Sequence, residues 1–336
     1  MQTVFEARKL VPPAAGSVVS VGVFDGVHLG HLAILIANVE RARHLGAVSA
    51  IVTFRRHPKR VLLGRAPRAL TTLEHRLELF RRAGIGLVAA LDFDAGLSQM
   101  EAPEFVARFL VAGLHTRHLV LGFDSKFGRD RQGTPEWLAG QGWPVDIVPQ
   151  VVVGHRPVSS TAIREAVDLG DLASASAMLG RPVAVLGRVV RGEALGRRIG
   201  FPTANLDLRH ALHPPEGVWA GFARVAGADP RGEGGLGPPL AAVANIGRRP
   251  TVSAGAADVR VEVHLLDGAQ DLYGKSLEFE FHERLRGEQR FENLDALQAQ
   301  IANDCARARE LLAAREPGRV GSDPGGESRA LPPAAR

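Results

Sequence analysis

Apolar and polar positions in the first half of the chain follow two alternating periods. Short runs of consecutive apolar residues read as buried strands: Ser17–Phe24 (SVVSVGVF), Val48–Phe54 (VSAIVTF), Ile85–Phe93 (IGLVAALDF) and His118–Phe123 (HLVLGF). Between them, His31–Gly46, Leu70–Gly84 and Glu101–Leu114 repeat their apolar residues every three to four positions and predict helices, the first closed by Gly46. Strands separated by helices in this way predict an α/β doubly wound domain with a parallel sheet. Ligands in such sheets bind at the carboxyl ends of the strands.

The pattern changes near Met178–Gly192. From there β-rich runs follow one another with few helices: Val218–Gly227, Leu240–Gly247, Val259–Asp267 and Ser276–Leu285. Gly/Pro turns between them predict a mainly antiparallel β-barrel. Gly227–Pro239 (GADPRGEGGLGPP) reads as a mobile loop, and Leu294, Leu297, Ile301, Ala308 and Leu311 predict one face of a closing helix. The expected division is a first domain over 1–181, a second over 182–316 and a disordered tail over 317–336.

Composition narrows the function classes. With 336 residues there is room for two cores. The net charge of +5 suits anionic substrates, but the basic residues are dispersed and aromatics make up only 5%, so no nucleic-acid partner is expected. The single cysteine, Cys305, excludes an intramolecular disulfide and a cysteine metal cage. Met1–Gly16 lacks the apolar core of a signal peptide, and no apolar run approaches membrane-spanning length; a cytoplasmic protein is expected.

The candidate chemistry begins at Val21–His31 (VGVFDGVHLGH), where a strand gives way to a helix. His28 and His31, three apart, would share a helical face beside the unpaired N–H groups of the first turn, with Gly30 leaving room for a phosphate. A metal pair or a purely structural pair are the alternatives at this stage. Val158–Arg164 (VSSTAIR) offers Ser160, Thr161 and Arg164, an ordinary helix start or a clamp for a triphosphate. Asp124 follows another strand in LGFDSKFG, and His57 ends a strand in TFRRHP.

In the second half, Arg191–Leu208 (RGEALGRRIGFPTANLDL) spaces Gly192, Gly196 and Gly200 four apart, as backbone wrapped around a ligand would require. Thr203 and Asn205 either end a strand or supply oxygen donors suited to Mg²⁺ with nucleotide phosphates. Glu262 shares a strand face with Arg260 and His264, as a general base or an outer-face charge.

In order and spacing, GVFDGVHLGH, TFRRHP, GFDSKFG and VSSTAIR resemble the adenylyltransferase module of bacterial bifunctional FAD synthetases. The later GRRIGFPTANL, GVWAG, ANIGRRPT, VEVHLLD and DLYGK resemble the riboflavin kinase module that follows it in the same enzymes. The resemblance implies a nucleotidyltransferase domain followed by a six-stranded kinase barrel, acting on riboflavin, FMN and ATP to give FAD, with Mg²⁺ in both steps. It implies that His28 and His31 stabilise the transferred phosphoryl group, with Gly30, His57, Asp124, Ser160, Thr161 and Arg164 around the nucleotides. In the barrel it implies a phosphate loop at Gly192, Gly196 and Arg197, Mg·ATP at Thr203 and Asn205, Glu262 as base, and the flavin near Arg284 and Arg286. The chain departs from the family's usual acidic residue and proline before His57, carrying Arg55 and Arg56, and has Trp219 where Tyr is frequent.

Overall fold

A computed structural model describes residues 1–192, 195–208, 211–226, 235–249, 258–268 and 271–315. The expected tail and most of the Gly227–Pro239 stretch lie outside the described residues.

The first domain is built on six parallel strands: β1 (Gln2–Val4), β2 (Ser17–Val21), β3 (Val48–Phe54), β4 (Leu87–Leu91), β5 (Thr116–Gly122) and β6 (Val145–Val148), in the order β1-β4-β3-β2-β5-β6. The sheet is doubly wound because both of its faces are apolar. Val19, Val52, Ala89 and Leu121 pack towards Phe105 and Phe109. Their neighbours Val18, Ile51, Val88 and Val120 pack towards Leu35 and Phe80 on the other side. Helix Leu29–Leu45 ends where predicted, with Gly46 in the left-handed conformation at φ 58°. The strand order reverses between β2 and β5, which opens a crevice beyond their carboxyl ends.

A two-stranded ribbon, β7 (Val152–Val153) and β8 (Arg156–Pro157), leads into two helices, Ser160–Asp168 and Leu172–Leu179. The closed barrel follows: β9 (Ala184–Val190), β10 (Ala204–Asp207), β11 (Gly217–Val225), β12 (Leu240–Arg249), β13 (Asp258–Leu265) and β14 (Ser276–Arg286), in the order β10-β13-β12-β11-β14-β9 with every pair antiparallel. Phe279, Phe281, Trp219 and Ile246 fill its interior, and the same buried cluster runs on into Ile163, Val167, Ala175 and Met178 of the two helices. The helix pair that ends the first domain therefore shares a core with the barrel.

Helix Leu294–Ala313 covers part of the barrel's outer face with the predicted Ile301, Ala308 and Leu311, joined by Cys305 and Leu312. Ile301, Cys305, Ala308 and Leu312 face Val218, Ala220 and Phe222, whereas Leu294 is exposed. Two bulges interrupt the β11–β14 pairing, between Val218 and Trp219 and between Ala220 and Gly221. At Gly221 the strands approach so closely that a Cβ would lie 1.9 Å from the Glu280 carbonyl oxygen. Gly221→Ala should therefore destabilise the barrel by about 2–3 kcal/mol, a cost of overpacking. Gly46→Ala should cost about 1–2 kcal/mol, from backbone strain alone, since nothing lies within 4 Å of its Cβ. Urea unfolding of the two variants checks the order, and a smaller loss at Gly221 would contradict the close approach.

Candidate active sites

The first site grows from the loop between β2 and helix Leu29–Leu45. His28 is the helix N-cap, and its Nδ1 accepts the backbone N–H of His31 at 3.3 Å. That bond places the ring proton of neutral His28 on Nε2, leaving an N–H donor for a ligand. The two imidazoles stack, 3.6 Å apart and 15° from parallel. Burial, with the Arg181 charge assisting, pulls His28 down to about 4. Burial and the adjacent His28 hold His31 well below its ordinary value. Both rings are thus neutral at pH 7, and they present hydrogen-bond donors at the positive end of a 17-residue helix. A side chain at Gly30 would press on the His28 ring, 3.3 Å from a Cβ there.

Asp25, inside the quoted motif but not singled out from the sequence, organises this centre. Its buried carboxylate accepts the backbone N–H groups of Leu70 and Thr71, each at 3.1 Å, and the Arg164 Nη2 at 2.5 Å. Ser160 donates its hydroxyl to the Asp25 carbonyl at 2.9 Å, and Arg164 Nε donates to the Arg68 carbonyl at 2.8 Å. The N-cap of that helix is Ser159, which leaves Thr161 exposed in the first turn. Burial lowers the half-buried His57, opposed by Asp25 and reinforced by Arg164, which places it within electrostatic reach of the same cluster. Asp124 is exposed just beyond β5, on the other side of the crevice. Arg55 turns away, pairing with Asp92 at 2.9 Å and lying over Phe5. Arg76, also unanticipated, ties the ends of β2 and β3 together through the carbonyls of Val23 (2.5 Å) and Phe54 (2.8 Å).

The second site lies on the outside of the barrel. Directly paired residues share a face of a sheet, so the register aligns Asn205, Glu262, Asn245, Val218 and Arg286 across β10, β13, β12, β11 and β14. Glu262, Asn245, His264, Thr203, Gly196 and Arg286 line a cavity of about 390 Å³ partly roofed by Leu297, Ile301 and Asp304 of the last helix. Thr203 also lines a second cavity of about 450 Å³, with Arg197, Gly200, Val263 and Tyr273. Both volumes suit small-molecule ligands.

The glycine loop is packed tightly here. A Cβ on Gly192 would lie 2.3 Å from Asn205 Nδ2, and one on Gly196 would lie 2.2 Å from the Phe201 carbonyl oxygen. The Asn205 Oδ1 is buried without a hydrogen-bond partner, an oxygen available to a cation–nucleotide complex. Among the described residues no cluster of three His, Cys, Asp or Glu could hold a metal ion. Arg286 is held by Asp304 (2.9 Å) and lies over Phe291. Arg284 does not line this cavity; it donates to the Glu216 carbonyl at 2.6 Å and lies over Trp219.

Two family models match the chain, one described as FAD synthetase over residues 11–162 and one as riboflavin kinase over residues 179–312. A bifunctional riboflavin kinase/FMN adenylyltransferase of Pseudomonas fluorescens is 40% identical over 317 residues, 93% of this chain and 98% of the relative. One from Escherichia coli K12 is 39% identical, over 91% and 96%. A crystal structure from Streptococcus pneumoniae, described as a macrolide-efflux protein, superposes with a TM-score of 0.74 at 30% identity, over 91% of this chain and 98% of that one. Among the described residues no helix is long and apolar enough to cross a membrane.

Between the ordinary imidazole value of 6.5 and about 4, the unfolded chain binds a proton that folded His28 refuses. Stability should therefore fall as pH drops through that window, by about 2 kcal/mol from pH 7 to pH 5 for this one group. Urea unfolding of His28→Gln at both pH values should show a correspondingly smaller drop; an equal drop would mean that His28 titrates normally.

Proposed function

The chain belongs to the family of bifunctional riboflavin kinase/FMN adenylyltransferases, and we propose from that membership which residues carry each of its two reactions. It is a transferase that uses ATP twice. Riboflavin and ATP give FMN and ADP; FMN and a second ATP give FAD and pyrophosphate. We assign the kinase to residues 182–316 and the adenylyltransferase to residues 1–181, in a cytoplasmic enzyme.

The observation that carries the kinase assignment is Thr203 standing in the wall between two cavities, one of them lined by Glu262. A kinase must bring a nucleotide and an acceptor hydroxyl to one point from two sides. The cavity lined by Arg197, Val263 and Tyr273 would take ATP, its phosphates on the Gly192–Gly196 loop. The cavity under the last helix would take riboflavin. Glu262 accepts the proton of the 5′-hydroxyl as that oxygen bonds to the γ-phosphorus, and ADP leaves with the electrons of the broken P–O bond. Asn205 and Asn245 flank Glu262 on neighbouring strands and orient it. Mg²⁺, when bound with ATP near Thr203 and the Asn205 Oδ1, would neutralise phosphate charge. Arg286, fixed by Asp304, is the arginine we assign to the flavin side, in place of Arg284.

In the first domain an FMN phosphate oxygen attacks the α-phosphorus of ATP in line, and the bond to the bridging oxygen of pyrophosphate breaks. Neutral His28 donates its Nε2–H to the phosphate and so stabilises the negative charge that develops there, with the His31 ring stacked against it. Two of the three guanidinium nitrogens of Arg164 are committed to Asp25 and Arg68, so Nη1 is what it offers ATP, beside the Thr161 hydroxyl. Ser160, bonded to the Asp25 carbonyl, orients this turn; His57 and Asp124 border the nucleotides.

Following flavins by chromatography with riboflavin, ATP and Mg²⁺ separates the two assignments. Wild type should give FMN and then FAD. His28→Ala/His31→Ala should stop at FMN, with FAD formation reduced at least about 100-fold. Glu262→Gln should lose kinase activity by about 100-fold or more while still converting supplied FMN to FAD. A Glu262→Gln enzyme with full kinase activity would remove the base from the mechanism.

A further inference from the structure

The loop that presents His28 is strained, and part of what holds it comes from the far end of the chain. Phe24 and Val27, neither of them glycine, stand at φ 53° and 40° in the left-handed region. Such a backbone persists only where its surroundings over-determine it, and a β-branched valine is especially ill suited to it. Both residues are buried, so solvent does not satisfy the loop's carbonyls. The carbonyls of Gly26 and Val27 instead accept the two terminal nitrogens of one guanidinium, Arg181, at 2.6 and 2.9 Å. Val27 directly precedes His28, so this fork fixes the peptide plane from which the N-cap imidazole departs.

Arg181 lies just past the left-handed Gly180, where the chain leaves the helix pair for the barrel. Glu278 of β14 is almost wholly buried and within electrostatic reach of Arg181. The Glu278 carboxylate pairs with Arg82 Nη2 at 3.0 Å and lies 3.0 Å from His75 Nε2, both on helix Leu73–Arg82. Burial alone would raise Glu278, but these partners hold it at about 2, so it is ionised. Its charge acts through space to keep the deeply buried Arg181 cationic. The helix carrying His75 and Arg82 begins beside Leu70 and Thr71, the residues whose N–H groups bind Asp25. The strained loop is thereby held from both sides, by Asp25 within the first domain and by Arg181 against the barrel.

We propose that Arg181 is a positioning residue for adenylyl transfer: its fork on the Gly26 and Val27 carbonyls sets the His28 imidazole where the transferred phosphoryl group passes. The barrel is then part of the support of the transferase centre as well as the site of the kinase. The inference rests on the assignment of His28 to FAD formation. A lysine would keep the charge but not the planar two-nitrogen fork, and a methionine would keep only bulk.

The test measures FMN-to-FAD and riboflavin-to-FMN conversion separately in the full-length chain. Arg181→Met should lower kcat for FAD formation at least tenfold, with KM for ATP and FMN and both kinase constants within twofold of wild type. Arg181→Lys should fall between wild type and Arg181→Met, and Glu278→Gln should reproduce a smaller loss in the same constant. A rise in KM with kcat intact would overturn the proposal in favour of a direct ligand contact. An equal fall in both activities would reduce Arg181 to a prop of the whole fold, and unchanged kinetics would refute it. Should Arg181→Met not yield soluble protein, Arg181→Lys carries the test by the same criteria. His28→Ala runs in parallel. If it leaves FAD formation intact, the site assignment itself has failed; if it abolishes FAD formation while Arg181→Met does nothing, only the role of Arg181 is lost.

Discussion

The buried carboxylate of Asp25 is the constraint on which the transferase centre depends. An ionised group taken out of water is tolerable only when its oxygens are fully engaged by donors. Asp25 finds them on the turn at Leu70–Thr71 and on Arg164 of helix Ser160–Asp168, segments far apart in the sequence. Satisfying that one charge draws three segments together at the carboxyl edge of the sheet. It anchors a loop whose φ angles at Phe24 and Val27 would not survive in isolation. The residues we assign to the phosphates are thus arranged around a group that has no remaining capacity to meet them.

The barrel solves a different problem. Its interior is largely filled with aromatic and aliphatic side chains, and Ala204, Val263 and Leu265 of that cluster also line the cavity beside Thr203. The residues we assign to the kinase base and flavin side are on the outer surface, where one row of cross-strand partners carries Asn205, Glu262, Asn245 and Arg286 under the C-terminal helix. A closed antiparallel sheet provides a rigid row of this kind because each side chain's neighbours are set by hydrogen-bond register. The glycines of the preceding loop are small because the loop is pressed onto Asn205 and Phe201, which keeps that backbone close to the reacting row.

The long parallel strands and the first helices were legible because period and capping agree there: β3 and the end of helix Leu29–Leu45 fall where the pattern puts them. The edge strands β1 and β6 are too short to leave a pattern, and no reading of the sequence marked them. The arginine pair separates for a sharper reason. Alternation places Arg284 and Arg286 on one face, but adjacent residues Val218 and Trp219 pair with Arg286 and Arg284, so a bulge has turned one of them over. Motif matching singles out His28, His31 and Glu262, yet it is blind to Arg181 and Arg76, whose partners are backbone carbonyls. Any residue has a carbonyl, so such bonds leave no trace in residue type.

The shared core of the helix pair and the barrel bears on how such a chain can be recombined. A crossover at residue 181 would tear Ile163, Val167 and Met178 away from the barrel residues they pack against. A crossover ahead of Val158 would keep the helix pair with the barrel, leaving Leu70 as the buried residue of that core on the other side, and would move Ser160, Thr161 and Arg164 with the barrel. In exchanges between relatives, part of the surface we assign to the nucleotide of the second reaction would then be inherited with the barrel we assign to the first.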